Sequence, residues 1–284
     1  MNTGQWLDKA VSYLTERGVP EPRANAEFMM AEALKAGRTE LALHHQRVPT
    51  GKQERVFWGQ VERRGKRIPL AYLLGTQPFM GLEIKVTGEA LIPRSETEEL
   101  VVEAVSLLKP RENEPLNVLE LGTGTGCIAI ALAASLRQAT VYATDISKAA
   151  LKLAMDNALA HHVERRIRFI NEDLFKEDAR FKGWADLVIS NPPYIPTRDL
   201  GGLDPEVLKE PTLALDGGKD GLDFLKAIIA AAPRYLKAGG WLALEMGSDQ
   251  RVAVLTLLEK AGFATRYVRK DAQGHDRIAV ARRD

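Results

Sequence analysis

The sequence predicts an α/β fold with a mostly parallel sheet, an antiparallel C-terminal hairpin and a small N-terminal helical bundle. From Pro115 onward, short apolar segments alternate with segments of helix length, which is typical of parallel strands covered by helices on both faces. The last two strand-like segments are too close for an intervening helix and therefore predict an antiparallel hairpin. Over residues 1–80, apolar residues recur at helical spacing, which predicts a separate helical domain.

The helical bundle is predicted to contain four helices. Apolar residues follow helical spacing in two sets, which are Trp6, Leu7, Ala10, Val11 and Leu14, and Phe28, Met29, Ala31 and Leu34. Gly18 and Gly37 end these two helices. A third short helix fits residues 39–45, and Thr50 with Gln53 resembles a capping box that opens a fourth.

Residues 81–95 are predicted to form a β-hairpin connector. The stretch "EIKVTGEALIP" looks like two short strands about its central Thr-Gly pair. Ser95 and Glu98 then resemble a capping box for the helix that opens the main domain, residues 96–284.

Five segments of the main domain have the composition of buried parallel strands, at residues 117–121, 140–144, 166–170, 186–190 and 241–246. Two further segments, at 264–270 and 276–282, flank the turn-like stretch "DAQGH" and form the predicted hairpin. Open sheets of this kind bind ligands outside the carboxyl ends of their strands. The residues that follow the strands are therefore the candidates for a functional site.

Composition and charge argue against several classes of protein. Lysine and arginine exceed aspartate and glutamate by one residue, 39 against 38, so we expect no direct nucleic-acid binding. Cys127 is the one cysteine, which excludes an intramolecular disulfide and a multi-cysteine metal site. No apolar run reaches about 18 residues, and the N-terminus does not resemble a signal peptide. We therefore expect a cytoplasmic protein without membrane contact.

Histidines and clustered basic residues carry weaker signals. The five histidines show no ligand spacing, so we expect no metal. A basic cluster is formed by Arg63, Arg64, Lys66 and Arg67. Such a cluster is more often a solvated helix face, and a contact with an acidic partner surface is the alternative.

A glycine-rich loop follows the first strand of the main domain, in "ELGTGTGCIAIALA". Gly122, Gly124 and Gly126 let the backbone turn sharply and approach a ligand, and the next helix presents its N-terminus there. The dinucleotide fingerprint would need glycine in place of Cys127, which weakens the dehydrogenase interpretation. Asp145 ends the second strand near the spacing at which a carboxylate receives ribose hydroxyls. The alternative is a tight turn followed by a helix-capping aspartate.

A second candidate motif, "SNPPYIP", follows the fourth strand. Prolines lack an N–H, so the strand must end here, at the same sheet edge as the glycine loop. A planar amide or aromatic amine is a poor nucleophile, and acceptors for both of its N–H bonds would turn its lone pair toward an electrophile. The Asn191 side-chain oxygen and the Pro192 carbonyl can supply these acceptors, and Tyr194 can stack on the planar group. A rigid loop that only ends a strand is the alternative.

Such a reaction needs no strong base beforehand. The amide nitrogen becomes acidic only as its new bond to carbon forms, and its proton can then pass to water. We therefore expect no steep dependence of the rate on a single histidine or carboxylate between about pH 6.5 and 9.

These motifs resemble those of a known family. "ELGTGTGCIAIALA", "ATDIS", "SNPPYIP" and "DPEVLKEPTLALDGGKDGLDFLKAI" are similar to the class I S-adenosylmethionine-dependent methyltransferases, which have a Rossmann-like fold. They are specifically similar to the protein-(glutamine-N5) methyltransferases of peptide chain release factors. The similarity extends to "IPLAYLLGTQPFMGLEIKV" and "LIPRSETEELV", so it covers residues 67–284. Adenine-N6 methyltransferases share the Asn-Pro-Pro-Tyr motif.

The resemblance implies a substrate, a cofactor and a site. It implies methylation of the glutamine in the Gly-Gly-Gln motif of release factors, with the N-terminal helical domain recognising this substrate. S-adenosylmethionine would be the methyl donor and S-adenosylhomocysteine the product. The implied cofactor-binding residues are Gly122, Thr123, Gly124, Thr125, Gly126, Asp145, Asp173, Leu174 and Asn191. The implied substrate-binding residues are Asn191, Pro192, Pro193 and Tyr194, and all of these except Pro193 are also the implied catalytic residues.

Two alternative substrates stay open, a glutamine of a ribosomal protein and adenine-N6 in nucleic acid. A DNA enzyme would be expected to carry a target-recognition domain and a basic cleft for a flipped base, which the nearly neutral charge disfavours. Ser95 and Lys209 depart from the family pattern beside the amide motif. They bear on the fit of the substrate more than on the chemistry.

Overall fold

The computed structural model of the protein describes residues 1–43, 45–173 and 179–284. The chain divides into two compact units. The helical unit comprises Met1–Thr76 and Asp204–Lys209, and the sheet unit comprises Gln77–Leu203 and Glu210–Asp284. No helix of the described chain combines the length and the apolar character needed to cross a membrane.

The helical unit is built on α1 (Thr3–Thr15), α2 (Pro22–Leu34), α3 (Gly51–Gly65) and α4 (Leu70–Leu74). Most of the apolar residues at helical spacing form its core, and Leu7 and Met29 are at most 1% exposed, as is Phe57 of α3. Phe28 was predicted on the same face but is 39% exposed, and the guanidinium of Arg38 lies 4.6 Å from the centre of its ring.

Two predictions concern the ends of these helices. The capping box that opens α3 is confirmed, because the Thr50 hydroxyl accepts from the Gln53 N–H while the Gln53 side chain accepts from the Thr50 N–H. The predicted third helix is shorter than expected. It is a 3-10 turn over Arg38–Ala42, and His44 lies outside the described residues.

Two arginines of the basic cluster bind a carboxylate within the helical unit. Arg64 Nη1 lies 2.7 Å from Glu206 Oε1, and Arg67 donates to both Glu206 oxygens at 2.7 and 2.6 Å. Burial alone would raise the pKa of Glu206, but the hydrogen bonds from Arg67 and Arg64 outweigh it and hold the pKa at about 2. For these two arginines the solvated-face interpretation was wrong, whereas Arg63 and Lys66 are exposed.

The strands described are β1 (Thr76–Phe79), β2 (Leu82–Lys85), β3 (Leu116–Leu121), β4 (Ala139–Asp145), β5 (Ile167–Asn171), β6 (Ala185–Ser190), β7 (Leu236–Glu245), β8 (Thr265–Lys270) and β9 (Asp276–Arg282). Seven of them form one sheet in the order β5-β4-β3-β6-β7-β9-β8. The first five in this order are parallel, and β9 is antiparallel to both β7 and β8. The predicted mostly parallel sheet with an antiparallel C-terminal hairpin is confirmed.

Helices cover both faces of this sheet. They are α5 (Ser95–Leu108), α6 (Cys127–Ser135), α7 (Lys148–Ala160), α8 (Asp223–Tyr235) and α9 (Arg251–Lys260). Successive residues of β3 point to opposite faces, so Val118 packs in the core with α5 and α6 while Leu119 packs in the core with α8 and α9. Burial on both faces explains why the parallel strands read as continuous apolar runs.

The connector hairpin lies earlier in the chain than predicted. β1 and β2 pair about Met80 and Gly81, so the prediction of two strands about Thr87 and Gly88 was wrong. Both turn residues have positive φ, 51° and 75°, as a type I′ hairpin turn requires. A methionine gives no sequence signal for this conformation, and the turn was therefore missed.

The capping box proposed for α5 was also wrong. The helix begins at Ser95, and Arg94 occupies the N-cap position without a side-chain cap. The Glu98 carboxylate instead accepts a hydrogen bond of 2.6 Å from the backbone N–H of Met80. Glu98 therefore stabilises the hairpin turn.

Candidate active site

The glycine-rich loop between β3 and α6 folds back onto the end of β4. The N–H groups of Gly122 and Thr123 both donate to the Thr144 carbonyl oxygen at 2.9 Å. Gly126 packs against α7, where an added Cβ would lie 2.9 Å from the Ala154 Cβ, so only glycine permits this helix spacing. The loop is thereby held at the carboxyl edge of the sheet, where open α/β sheets bind ligands.

Asp145, the last residue of β4, joins this loop to the start of α7. Its Oδ2 accepts from the Gly124 N–H at 2.9 Å, and its Oδ1 accepts from the Ser147 N–H at 2.8 Å. A carboxylate can accept about four hydrogen bonds, so Asp145 keeps capacity for the hydroxyl groups of a ligand.

The Asn-Pro-Pro-Tyr motif leaves β6 beside the glycine loop. The Ser190 hydroxyl donates to the Leu121 carbonyl oxygen at 2.6 Å, which ties the last residue of β6 to the last residue of β3. Beyond β3 the sheet continues through β4, and beyond β6 it continues through β7 in the opposite direction. The ends of β3 and β6 therefore form the switch point of the sheet, and the two predicted motifs meet there.

A buried hydrogen-bond chain lies behind Asn191. Its Nδ2 donates to Thr97 Oγ1 at 2.9 Å, and Thr97 Oγ1 donates to Glu245 Oε2 at 2.7 Å. The Tyr194 hydroxyl donates to the other oxygen, Glu245 Oε1, at 3.2 Å. Burial raises the pKa of Glu245 to about 7 against the opposing effect of these hydrogen bonds. Burial and the charge of Glu245 raise the pKa of Tyr194 as well, so its hydroxyl stays protonated.

The backbone of the motif is held by the "DGGKDG" segment. A Cβ added at Gly221 would come within 2.4 Å of the Tyr194 carbonyl oxygen, and Gly221 has a φ of 75°. The Gln250 side chain donates to the same carbonyl oxygen at 3.0 Å and to the Gly221 carbonyl oxygen at 3.1 Å. These contacts leave the motif little freedom to move.

The glycine loop and the amide motif line one cavity. The predicted site residues that line it are Gly122, Thr123, Gly124, Thr125, Asp145, Asn191 and Pro193. Among the described residues, the predicted ones that do not line it are Gly126, Pro192, Tyr194 and Asp173. Leu174, also predicted, lies outside the described residues. Tyr194 directs its hydroxyl to Glu245, and Asp173 follows β5, which lies beyond β4 in the sheet.

The connector supplies a cavity wall that sequence reasoning missed. Residues 88–91 line the cavity together with Thr97. Glu210, whose side chain is 1% exposed, holds this connector by accepting a hydrogen bond of 2.8 Å from the Ile92 N–H and by pairing with Arg94. No local sequence signal marks this contact, because Ile92 and Glu210 lie 118 positions apart in the chain.

Known proteins match both parts of the chain. The PrmC N-terminal domain family matches residues 5–75, and the methyltransferase small domain family matches residues 101–201. The release factor glutamine methyltransferase of Geobacter sulfurreducens is 42% identical over 279 residues, which cover 97% of this chain and 95% of that protein. That of Moorella thermoacetica is 41% identical over an alignment of 286 positions, which covers 100% of this chain and 99% of that protein.

This chain belongs to the release factor glutamine methyltransferase family. The resemblance inferred from the motifs is thus confirmed, and it extends through the helical unit. Among solved structures, the hMettl16 catalytic domain has a TM-score of 0.57 at 20% identity, and the match covers 79% of this chain and 80% of that one. That likeness concerns the fold alone and agrees with a class I methyltransferase fold.

The cavity fits the methyl donor that this methyltransferase family implies, S-adenosylmethionine. At Gly122 no described atom lies within 4 Å of the position that a Cβ would occupy, so the loop backbone is open to a ligand. Asp145 offers acceptors for ribose hydroxyls, and the apolar side chains of Ala90, Leu91 and Ile128 also line the cavity.

A buried carboxyl group, Glu120, lies under the glycine loop of this family member. It is 0% exposed, and Thr123 Oγ1 donates to its Oε2 at 2.8 Å. Its Oε1 is buried without a hydrogen bond of normal geometry to any described residue. Burial raises the pKa of Glu120 to about 8, with Thr123 opposing this shift and the charge of Asp145 adding to it. This buried carboxyl group could not be predicted, because a single glutamate inside an apolar strand belongs to no motif.

Cys127 lines the same cavity at the start of α6. Burial raises the pKa of its thiol to about 12. The thiol therefore stays protonated at neutral pH and acts as a small packing residue.

Proposed function

We propose that this protein transfers a methyl group from S-adenosylmethionine to the side-chain amide nitrogen, N5, of the glutamine in the Gly-Gly-Gln motif of peptide chain release factors. The observation that carries the proposal is the placement of Asn191 and the glycine loop along one cavity. Its relatives of about 40% identity, named release factor glutamine methyltransferases, support the choice of substrate. The modification would modulate translation termination.

In this proposal the substrate amide binds along the Asn-Pro-Pro-Tyr motif. Asn191 Oδ1 and the Pro192 carbonyl oxygen would each accept one N–H of the amide, which leaves the nitrogen lone pair free to face the electrophile. The fixed φ of Pro192 and Pro193 keeps these acceptors in place. Tyr194 would stack on the planar amide, and its hydrogen bond to Glu245 would hold the ring in place.

S-adenosylmethionine, when bound, supplies a methyl group on a positively charged sulfur. Gly122, Gly124 and the residues between them would hold its amino-acid part, and Asp145 would accept its ribose hydroxyls. Asp173 and Leu174 are proposed at the adenine on the family resemblance alone. Residues 88–91 would exclude water from one side of the site.

Mass spectrometry tests the proposal. The protein is incubated with intact release factor and isotopically labelled S-adenosylmethionine, and the peptide that carries Gly-Gly-Gln is fragmented. We expect one added methyl group on the glutamine side chain. Labelling of a ribosomal protein or of adenine in nucleic acid, with none on the release factor, would contradict the proposal.

We further propose that the helical unit recognises the folded release factor. The cavity residues that the structure describes all belong to the sheet unit, so the helical unit is not needed to form the cavity. Hydrogen exchange of the full chain would test this. Intact release factor should protect backbone amides of α1 to α3, and a Gly-Gly-Gln peptide should not. Equal protection by both ligands would assign the helical unit another role.

A further inference from the structure

Glu245 ends the buried hydrogen-bond chain behind Asn191, and its ionised form can only accept. Its side chain lies at the end of β7 and is 1% exposed, with one oxygen bonded to Thr97 and the other to Tyr194. An ionised carboxylate has no proton to donate. Both partners must therefore donate their hydroxyl protons to Glu245.

The carboxylate thereby fixes the direction of the next hydrogen bond. Thr97 has a single hydroxyl proton, and it donates that proton in its hydrogen bond to Glu245. The Thr97 oxygen can then only accept a hydrogen bond from Asn191. The donor must be the amide nitrogen of Asn191, and Nδ2 indeed lies 2.9 Å from Thr97 Oγ1. Since Nδ2 and Oδ1 lie on opposite sides of the planar amide, Oδ1 is directed away from Thr97.

We infer that Thr97 and Glu245 are positioning residues that set the orientation of the Asn191 amide, so that its oxygen rather than its nitrogen meets the substrate. This inference rests on the proposed function. An Asn191 amide turned by half a rotation would present N–H donors to a substrate group that is itself a donor. The hydrogen bond needed to orient the substrate amide would then be lost.

The same carboxylate also holds the other end of the motif. Tyr194 follows Asn191 by three residues, and its hydroxyl binds the oxygen of Glu245 that Thr97 does not use. One buried side chain therefore restrains both the first and the last residue of the motif. Buried networks of this kind fix geometry when every member has its partner.

Threonine variants test the inference. Thr97→Val keeps the shape of the side chain and removes its hydroxyl, so single-turnover methyl transfer to release factor should slow by about 10- to 100-fold, while the affinity for S-adenosylmethionine stays unchanged. Thr97→Ser keeps the hydroxyl and should restore most of the rate. The control is Thr256→Val on α9, where the exposed threonine donates its hydroxyl proton to the Val252 carbonyl oxygen, and this variant should react at the wild-type rate.

Glutamate variants provide an independent test. In Glu245→Gln one side-chain atom becomes a donor, so the amide of Asn191 is no longer held in one orientation, and the rate should fall by about 10-fold or more. The matched control is Glu103→Gln. Like Glu245, Glu103 is a buried carboxylate that accepts a hydrogen bond from a tyrosine hydroxyl, that of Tyr267, and it also pairs with Arg269. It lies on α5 but does not line the cavity. That control should keep the wild-type rate.

The side-chain amide signals of Asn191 in a nitrogen–proton correlation spectrum separate this inference from the proposed function. They should shift in Thr97→Val and Glu245→Gln and remain in place in Thr97→Ser, whether or not the wild-type protein methylates release factor. Wild-type protein without activity would overturn the proposed function, and the amide signals would still decide the orientation. Unchanged signals, or a Thr97→Ser protein as slow as Thr97→Val, would overturn the inference.

Discussion

The carboxylate of Asp145 accepts a hydrogen bond of 2.9 Å from the backbone N–H of Gly124. The acid at the end of β4 and the loop after β3 are therefore joined to each other through the protein itself. This contact keeps both groups near the geometry in which they would share one ligand, so less ordering is needed when the ligand binds.

Asp145→Asn should weaken the binding of S-adenosylmethionine by about 1–3 kcal/mol, because the ribose hydroxyls lose charge-assisted hydrogen bonds. Isothermal titration calorimetry gives the measurement. Asp156→Asn, an exposed change on α7, is the control and should leave the affinity unchanged. An unaltered affinity in Asp145→Asn, or tight specific binding of NAD to the wild-type protein, would contradict the assignment.

Asn191→Ala should lower the rate of methyl transfer by about 100-fold or more, the scale typical of removing one preorganised polar group. The affinity for S-adenosylmethionine should largely survive, because the main cofactor contacts are assigned to the glycine loop and Asp145. Single-turnover kinetics at saturating cofactor measures the methyl-transfer step directly. A variant that reacts at the wild-type rate would remove Asn191 from the reaction.

The rate of methyl transfer should fall as the pH drops through about 7, because burial raises the pKa of Glu245 to about that value. Protonated Glu245 has a proton of its own to donate, and the direction of the hydrogen bonds to Thr97 and Asn191 is then no longer fixed. The charged and titratable groups that interact with Glu245 include Arg277, Glu96, Tyr194 and the buried thiol of Cys127.

A pH–rate profile of wild-type protein and Glu245→Gln tests this expectation. Glu245→Gln should be slower and should lack the decline below about pH 7. From the sequence we expect a flat profile from about pH 6.5 to 9, and the buried Glu245 changes that expectation only at the lower end. A wild-type profile that stays flat down to about pH 6 would contradict a role for the ionised form.

Glu120→Gln should stabilise the ligand-free protein at high pH. Burial raises the pKa of Glu120 from 4.5 to about 8, so the folded protein keeps a proton that the unfolded chain releases. The free energy of unfolding therefore declines as the pH rises from about 4.5 to about 8, by an amount on the order of a few kcal/mol. Calorimetric melting of both proteins across this range should show the difference between variant and wild type growing with pH. A difference independent of pH would contradict the raised pKa.

Strand-end rules and motif spacing allowed much of the candidate site to be predicted. The glycine loop and Asn191 each follow a strand with a recognisable apolar run, and Asp145 ends one, and parallel strands bring their carboxyl ends to one edge of the sheet. Thr97 and Glu245 could not be found in this way. They lie 94 and 54 positions from Asn191 in the chain, and a threonine in a helix or a glutamate at a strand end has no motif.

The connector shows a different limit. Its hairpin turn depends on the left-handed backbone conformation of Met80, which a methionine does not predict. The position of the connector against the cavity depends on a carboxylate that is distant in the sequence, Glu210. Both features are tertiary contacts or conformations that the local sequence does not favour. The sequence therefore favours two strands about the more familiar Thr-Gly pair and carries no signal of the contact between the connector and the cavity.

The helical unit is assembled from two separated stretches of chain, Met1–Thr76 and Asp204–Lys209, and the salt bridges of Glu206 with Arg64 and Arg67 lie within it. A protein fragment that contains the first stretch alone would lack Glu206, and the buried Arg64 and the half-buried Arg67 would lose their carboxylate partner. A gene that lacks that stretch would leave Glu206 without its cations. Recombination at a single point therefore cannot move this unit intact to another protein, and its two stretches should be inherited together.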